Sequence, residues 1–565
     1  MEKLWHKAYA GGVPCRLQYE KTVLPEALKQ STRRFPDKTA IIFLDAKIAY
    51  RQLDDLVNRM ANALMDLGVK PGDKVAMLMP NMPQLVIATY GAWRAGAVVV
   101  MNNPLYTDRE LEYQFKNSES SVLVTLDLLA PRMIALRPKT PVKNIIVAHI
   151  RDHLKFPKKQ LLPIVAKDKH KEIPRQPNVY EWMDLLKKFP SSAPNISIDF
   201  EGLACLQYTG GTTGVSKGVM LSHANLSKNV QQITAWFPGF EAGSITQLGV
   251  LPFFHVFGLT CCLNLSIWRG WTDVLIPRPE PLTILEAIQK HKVNFFPAVP
   301  TMYVGILHHP QISRYDLISR YDLTSIRGCF SGAAPLPVEV IKEFEAKTGS
   351  QICEGYGLSE TSPVATINPF RGVTKVGSIG VPIPDTDIKI VDLADETKEM
   401  AVGEAGEIVI QGPQVMSGYY QMPEETAITL KDGWLHTGDI GRMDEDGYFY
   451  IVDRKKDMII ASGYNIYPRE IDEVLFEHPK ILEACAIGIP DPYRGETVKA
   501  FVVVKPGEKL TDAEVIEHCQ QKLAKYKVPK TVEFLDSLPK SGVGKVLRKE
   551  LRAKELAQKK KTGGK

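Results

Sequence analysis

Glycine, threonine and lysine crowd one stretch of this sequence in a pattern suited to phosphate: Tyr208-Thr209-Gly210-Gly211-Thr212-Thr213-Gly214-Val215-Ser216-Lys217-Gly218, preceded by the strand-like run 203–207. Glycines let successive backbone N–H groups turn toward one anion, the Thr hydroxyls add donors, and Lys217 adds a charge. The spacing is not that of a Walker A loop, because Val215 and Ser216 separate Gly214 from Lys217. The same stretch contains a G-x-S-x-G pattern, Gly214 to Gly218. A hydrolase nucleophile sits directly on a strand-to-helix turn. Ser216 instead follows a run of Gly and Thr, so an esterase or thioesterase built on it is the weaker reading.

Three more segments gain meaning beside this loop: Ser331-Gly332-Ala333-Ala334-Pro335, Glu354-Gly355-Tyr356-Gly357-Leu358-Ser359-Glu360-Thr361, and Gly433-Trp434-Leu435-His436-Thr437-Gly438-Asp439. Each alone is a Gly-containing turn. Together they resemble the nucleotide-binding motifs of the adenylate-forming superfamily, which groups acyl-CoA synthetases, firefly luciferase and nonribosomal-peptide adenylation domains. The resemblance covers nearly the whole chain and ends with Pro539-Lys540-Ser541-Gly542-Val543-Gly544-Lys545-Val546-Leu547-Arg548, similar to the family's P-x-T-x-x-G-K-x-x-R. Residues 251–259 (LPFFHVFGL), 452–459 (VDRKKDMI) and 103–107 (NPLYT) are similar to bacterial long-chain fatty acid–CoA ligases in particular. Two positions depart from the usual pattern, Ser216 in place of Pro and Ser541 in place of Thr, and both keep their loops polar.

The resemblance implies two half-reactions: a fatty carboxylate attacks the α-phosphorus of ATP to give an acyl adenylate and pyrophosphate, and the thiol of CoA then displaces AMP. It implies Lys545 as the catalytic charge that joins two anions. It also implies Thr209, Gly210, Gly211, Thr212, Thr213, Gly214 and Lys217 on the β- and γ-phosphates, and Thr361 on another phosphate oxygen. Glu360 would hold Mg²⁺, a hard cation that takes carboxylate and phosphate oxygens. Gly332, Ala333 and Ala334 would form one wall of the adenine site, and Tyr356, between Gly355 and Gly357, would stack on the other. Asp439 and Arg454 would bind the ribose. His255 would border the acyl carboxylate as a gate, with Trp236 and Phe237 starting the wall of an acyl tunnel. Lys456 would be the hinge pivot, and Gly463 and Tyr464 would meet CoA. An acyl-AMP ligase that hands its product to an acyl carrier protein is the nearest alternative. A luciferase-like oxygenase shares the fold, and fold alone does not choose between them.

The elements that must position these residues follow from periodicity. Leu53, Val57, Met60, Leu64 and Leu67 recur at helical spacing ahead of a strand-like run at 74–79. A second run, 97–101, precedes Thr107 and Glu110, a capping box that opens a helix. Such alternation predicts mostly parallel sheets wrapped by helices. The fold class expected is α/β: a large N-terminal domain of several subdomains with doubly wound sheets (1–452), a hinge (453–457) and a small mobile α+β C-terminal domain (458–565). In the latter, a helix is expected near 468–476, strands near 484–489 and 499–504, and a helix opened by the Thr511–Glu514 capping box. Residues 558–565 read as a frayed tail.

Composition narrows the class. With 565 residues, 44% apolar and 24% charged, the chain is a large globular protein and not a disordered or fibrous one. Its longest apolar stretch, 85–101, is interrupted by Arg94 and too short to span a bilayer. The N-terminus carries no signal-peptide pattern, so a cytoplasmic location is expected. Eight scattered cysteines without a C-x-x-C pair read as buried free thiols. A net charge of +6 over this length gives no case for nucleic acid. Much of the excess sits in 155–175, where seven basic residues face two acidic ones. A solvated insertion is the favoured reading of that segment; contact with a membrane surface, or a lipid-binding adaptor role, is the rival. A homodimer is carried as a further expectation.

Overall fold

The computed structural model describes residues 3–165, 170–173, 175–209, 216–308, 320–461, 464–491, 494–541 and 546–562. The chain divides into two compact units, one formed by residues 1–387 with 410–435, the other by 388–409 with 436–565.

Two sheets organise the first unit. One has seven strands in the order Val179–Glu181, Asn144–Ala148, Val122–Leu126, Lys74–Leu78, Val98–Met101, Leu203–Thr209, Lys217–Ser222, all neighbours parallel except the last pair. The other has nine, in the order Val381–Pro382, Val364–Ile367, Ile352–Gly357, Gly328–Ser331, Phe295–Ala298, Thr246–Gly249, Thr272–Leu275, Thr39–Phe43, Ala46–Ala49, parallel in the middle and antiparallel at both ends. The central strands are continuous apolar runs, as strands covered on both faces require: all of Val98–Met101 is buried.

The helices follow the sequence signals closely. Tyr50–Asp66 buries Leu53, Val57, Met60 and Leu64, the apolar stripe read from spacing. Thr107 caps Asp108–Ser118, its backbone N–H donating to Glu110 Oε2 at 2.7 Å while Glu110 N donates to Thr107 Oγ1 at 3.3 Å. The apolar stretch at 85–101 is an interior helix, Pro83–Arg94, followed by a central strand. Its Arg94 is neutralised by Asp54 at 2.7 Å and hydrogen-bonds Asn58 at 2.6 Å. Among the described residues no helix is long and apolar enough to cross a membrane. All eight cysteines are free, and seven are buried.

In the second unit a sheet of order Tyr464–Ile466, Ile459–Ala461, Gly495–Val504, Ile481–Asp491 carries Thr531–Phe534 on Gly495–Val504. Ile459, Ile471, Leu475, Ala486, Val498, Val502 and Val515 fill its core against the helices Pro468–Phe476 and Asp512–Lys522. Thr511 caps the latter with Glu514, as expected. The tail expected to fray is helical as far as Thr562, within Arg548–Thr562. Its Lys, Gln and Ala residues are good helix formers, and that propensity outweighs terminal fraying there.

Candidate active site

The Gly/Thr stretch joins two antiparallel strands, with Thr209 opposite Lys217. Gly210, Gly211, Thr212, Thr213 and Gly214 lie outside the described residues. The frame around them removes the hydrolase reading. A nucleophile elbow runs from strand to helix, whereas this connection runs from strand to strand, and Ser216 Oγ donates to Thr209 O at 2.8 Å.

Lys217 is oriented by residues two hundred positions away. Segment 416–420 lies along the strand Lys217–Ser222: Met220 N donates to Gly418 O and Tyr420 N to Gly218 O, at 2.9 and 2.8 Å, and Val219 bridges Tyr419. This placement sets Lys217 Nζ on the Glu425 carboxylate and 4.9 Å above the ring of Tyr419. The Tyr419 hydroxyl in turn donates to Glu360 Oε1 at 2.8 Å. Burial and the Glu360 carboxylate both push the Tyr419 phenol well up, so it stays a neutral donor. Lys217 and Glu360, expected from sequence to share the phosphate end, are thus linked through Tyr419. Neither Tyr419 nor Glu425 carries a local sequence signal.

Glu360 stands on a short turn, Ser359–Thr361, directly after the strand Ile352–Gly357. Thr361 is fully buried; its hydroxyl donates to Pro363 O and accepts from Leu358 N at 2.9 Å, while Leu358 N also reaches Pro363 O at 3.1 Å. The Thr361 hydroxyl therefore closes the turn from within, and Met416 N holds Glu360 O at 2.8 Å. Beside this strand end lies that of Gly328–Ser331, with Ser331 opposite Glu354. Gly332, Ala333 and Ala334 follow, Ala333 at φ 73°. Gly332 is needed for close approach: a Cβ there would meet Phe257 at 3.2 Å. The strand ends bearing Gly332–Ala334 and Gly355–Gly357 are therefore adjacent, the arrangement expected of two walls of one site, with Tyr356 on the second.

His255 stands at the N-cap position of a short helix, without a side-chain capping bond, and packs on Phe254 with ring centroids 4.9 Å apart. Burial holds its imidazole down to about 4, so it is neutral at pH 7 and suits a gate better than a cation or an acid. Trp236 and Phe237 are core residues: Trp236 Nε1 donates to Asn368 O at 3.2 Å, and Phe237 packs against Phe295 and Phe370 at 5.0 and 5.3 Å. Rings connect this cluster to the Gly332 wall, Phe237 to Phe330 at 6.2 Å and Phe330 to Phe257 at 5.3 Å.

In the second unit, Asp439 and Arg454 face one another across the pair Trp434–Met443 and Phe449–Arg454, with Arg454 Nε 3.1 Å from Asp439 Oδ1. The preceding turn is held by Glu407, whose Oε1 accepts from Gly438 N at 3.0 Å and whose Oε2 meets Lys455 Nζ at 3.0 Å. Lys456 follows in a turn; burial and the neighbouring Arg454 lower its ammonium below the usual lysine range. Arg552 binds Lys456 O at 3.2 Å and Asp457 Oδ1 at 2.9 Å. Gly463 and Lys545 lie outside the described residues, while the backbone of Tyr464 belongs to a strand pairing with Ile459–Ala461.

Residues 28–420 match the AMP-binding enzyme model and residues 470–545 the AMP-binding enzyme C-terminal domain. The chain is 47% identical to a long-chain-fatty-acid–CoA ligase of Bacillus subtilis (strain 168), over 98% of both chains. Among solved structures it is similar to an anthranilate CoA ligase in complex with anthranoyl-AMP, at TM-score 0.85, 27% identity and 96% and 98% coverage. It is also similar to ATP-bound MatB from Rhodopseudomonas palustris, at TM-score 0.82, 29% identity and 94% and 99% coverage.

Proposed function

From the premise that the chain belongs to the AMP-binding enzyme family, we propose that it is an ATP-dependent, AMP-forming ligase converting long-chain fatty acids to acyl-CoA thioesters through an acyl adenylate. The observation that carries this is 47% identity along 98% of both chains to a ligase named for that reaction. Transfer to an acyl carrier protein in place of CoA is the weaker reading, since the relative of 47% identity is named for CoA.

Adenylation brings two anions together, so positive charge must stand where negative charge builds up in the transition state. Lys545 supplies it: the P-x-S-x-x-G-K segment matches the family motif at that residue. A lysine suits the task because a flexible stem delivers a compact charge that can withdraw. Lys217 and the 209–214 loop hold the terminal phosphates, Thr361 fixes the turn beside them, and Asp439 with Arg454 takes the ribose. A carboxylate held in one orientation by Tyr419 fits a hard divalent cation. Glu360 would hold Mg²⁺, which when bound neutralises phosphate charge. His255, neutral and among aromatic rings, gates the acyl carboxylate. For thioester formation the 453–457 hinge, pivoting at Lys456, reorients the domain beyond it and brings Gly463 and Tyr464 to CoA.

For the segment around the helix Lys158–Val165 a solvated insertion remains the favoured reading, and peripheral contact with an anionic membrane surface is the rival assignment, which Phe156, 82% exposed, supports. Lys158 is already paired with Asp45 at 2.6 Å. If neutralising Lys155, Lys158 and Lys159 leaves liposome binding unchanged, this assignment fails. A homodimer is proposed with it, and a monomer in sedimentation would refute that. For the activity, the test is nucleotide product analysis with Mg²⁺, ATP and acids from acetate to oleate, with and without CoA. AMP formed with long-chain acids and turning over with CoA is expected. Pyrophosphate release indifferent to CoA would favour a carrier-protein acceptor, and no acid-dependent AMP would overturn the proposal.

A further inference from the structure

The carboxyl ends of three neighbouring strands in the seven-stranded sheet gather a set of side chains that the ligase reaction does not use. Asp127 and His149 are the first residues beyond the parallel strands Val122–Leu126 and Asn144–Ala148, whose last residues are in register. Glu181 ends the next strand, Val179–Glu181, which pairs with Asn144–Ala148. His170 arrives from the long connection between those two strands, the basic segment.

These groups converge on one oxygen. His149 Nδ1 lies 2.8 Å and His170 Nδ1 3.0 Å from Asp127 Oδ2, and all three donor atoms lie within 4.8 Å of one another. Asp127 is fully buried and His170 nearly so, its side chain 13% exposed. Two features go beyond an ion pair. The other ring nitrogen of His149 meets Glu181 Oε2 at 2.7 Å, the carboxylate–histidine arrangement that fixes ring orientation and raises basicity at metal centres. The second oxygen of Asp127 accepts from Leu128 N at 2.9 Å, which orients the carboxylate. A cavity of about 320 Å³, lined by His149, Arg151, Asp152, Lys159 and Glu181, opens on the Glu181 side of His149.

A second trio, Glu396, Glu407 and His436, offers a contrast. There Lys455 Nζ occupies the centre, 3.0 Å from Glu407 and 3.4 Å from Glu396, and the cluster already has its cation. Among the described residues the Asp127 carboxylate meets no lysine or arginine side chain, only imidazoles and backbone N–H groups, including Lys171 N at 2.8 Å. Against the effect of burial, the hydrogen bonds to Asp127 and Glu181 raise the His149 imidazole to about 9, so a metal there must displace its proton.

We propose that Asp127, His149 and His170 form a Zn²⁺ site, with Glu181 as the positioning residue behind His149, that clasps the basic segment to the sheet edge. Two imidazoles and one carboxylate are donors for a borderline first-row cation, with Zn–N near 2.0–2.1 Å and Zn–O near 2.0–2.2 Å. Angles near tetrahedral at those bond lengths separate donors by roughly 3.3 Å, so the two imidazole–carboxylate pairs, at 2.8 and 3.0 Å, need open by only a few tenths of an ångström, with the two imidazole nitrogens within 4.8 Å of one another. Mg²⁺ prefers oxygen and does not compete.

The test uses the full chain, freed of metal with a chelator and titrated with ZnCl2 in millimolar Mg²⁺. One Zn²⁺ per chain is expected, with trypsin cleavage in 155–171 slowed by Zn²⁺. His170→Gln, which changes a side chain on a connecting segment, should weaken binding at least tenfold with circular dichroism unchanged, and Glu181→Gln by about 10- to 100-fold. CoCl2 should give the visible absorption of four-coordinate Co²⁺ in the wild-type protein, a readout that needs no variant. No Zn²⁺ bound at 100 µM, or equal affinity in His170→Gln, would overturn the site and leave an imidazole–carboxylate network in its place.

Discussion

Gly357→Ala tests whether the turn bearing Glu360 is set by one close approach. A Cβ at Gly357 would lie 1.9 Å from Pro363 O, a backbone atom with no rotamer in which to escape. Relief to an ordinary contact of about 3.4 Å requires a shift of roughly 1.5 Å. Pro363 O is also the acceptor for Leu358 N and the Thr361 hydroxyl, the two bonds that close the turn. Losing both costs about 1–3 kcal/mol of local stability. Glu360 lies between the displaced residues, and a misplacement near 1 Å in a catalytic array costs on the order of 10²-fold in rate. We therefore expect acid-dependent pyrophosphate release to fall at least about 100-fold, with a melting temperature lowered by only a few degrees. Gly11→Ala is the control, because a Cβ there meets no atom within 4 Å and the residue lies outside the site. A Gly357→Ala enzyme within threefold of wild type, at unchanged melting temperature, would refute the reasoning.

Lys545→Ala should reduce adenylation by about 10²- to 10³-fold, the usual cost of a transition-state donor; unchanged pyrophosphate release would remove Lys545 from its role. Lys456→Pro fixes φ near roughly −65° and should keep adenylate formation while losing thioester formation, whereas equal loss of both counts against a hinge there. Tyr419→Phe removes the donor to Glu360 and should raise the Mg²⁺ concentration for half-maximal rate about tenfold while leaving the fold intact, read from Mg²⁺ titrations and melting curves. Asp273 is buried with both carboxyl oxygens unpartnered among the described residues, and burial pushes its pKa up to about 8. The folded state keeps this proton between about pH 4 and 8 while the unfolded chain releases it, so stability falls as pH rises through that window. Asp273→Asn should therefore gain stability over wild type as pH rises from 5 to 8, by several kcal/mol at the top, and parallel melting curves across that range would show the burial argument to be wrong.

Local order was legible wherever one helix or strand carries its own signal. The Leu53–Leu64 stripe, the boxes at Thr107 and Thr511, and the helix at 468–476 come from side chains three or four residues apart, which meet in any helix of that sequence. Ser216 shows the limit of a short pattern. Its G-x-S-x-G reads the same in an elbow and in a hairpin, and only the antiparallel pairing of Thr209 with Lys217 separates the two.

By itself the sequence determined the family, because Gly-rich turns, a terminal lysine motif and their order along the chain are properties of the string. It also determined the alternation of elements, because periodicity is local. Tertiary structure alone decided that Tyr419 lies between Lys217 and Glu360, that Asp273 is sealed from water, and that Asp127, His149 and His170 share one oxygen. Those contacts join residues tens to hundreds of positions apart. Their formation depends on which strand ends lie side by side, and sheet order is set by the packing of the whole core, which no local pattern encodes.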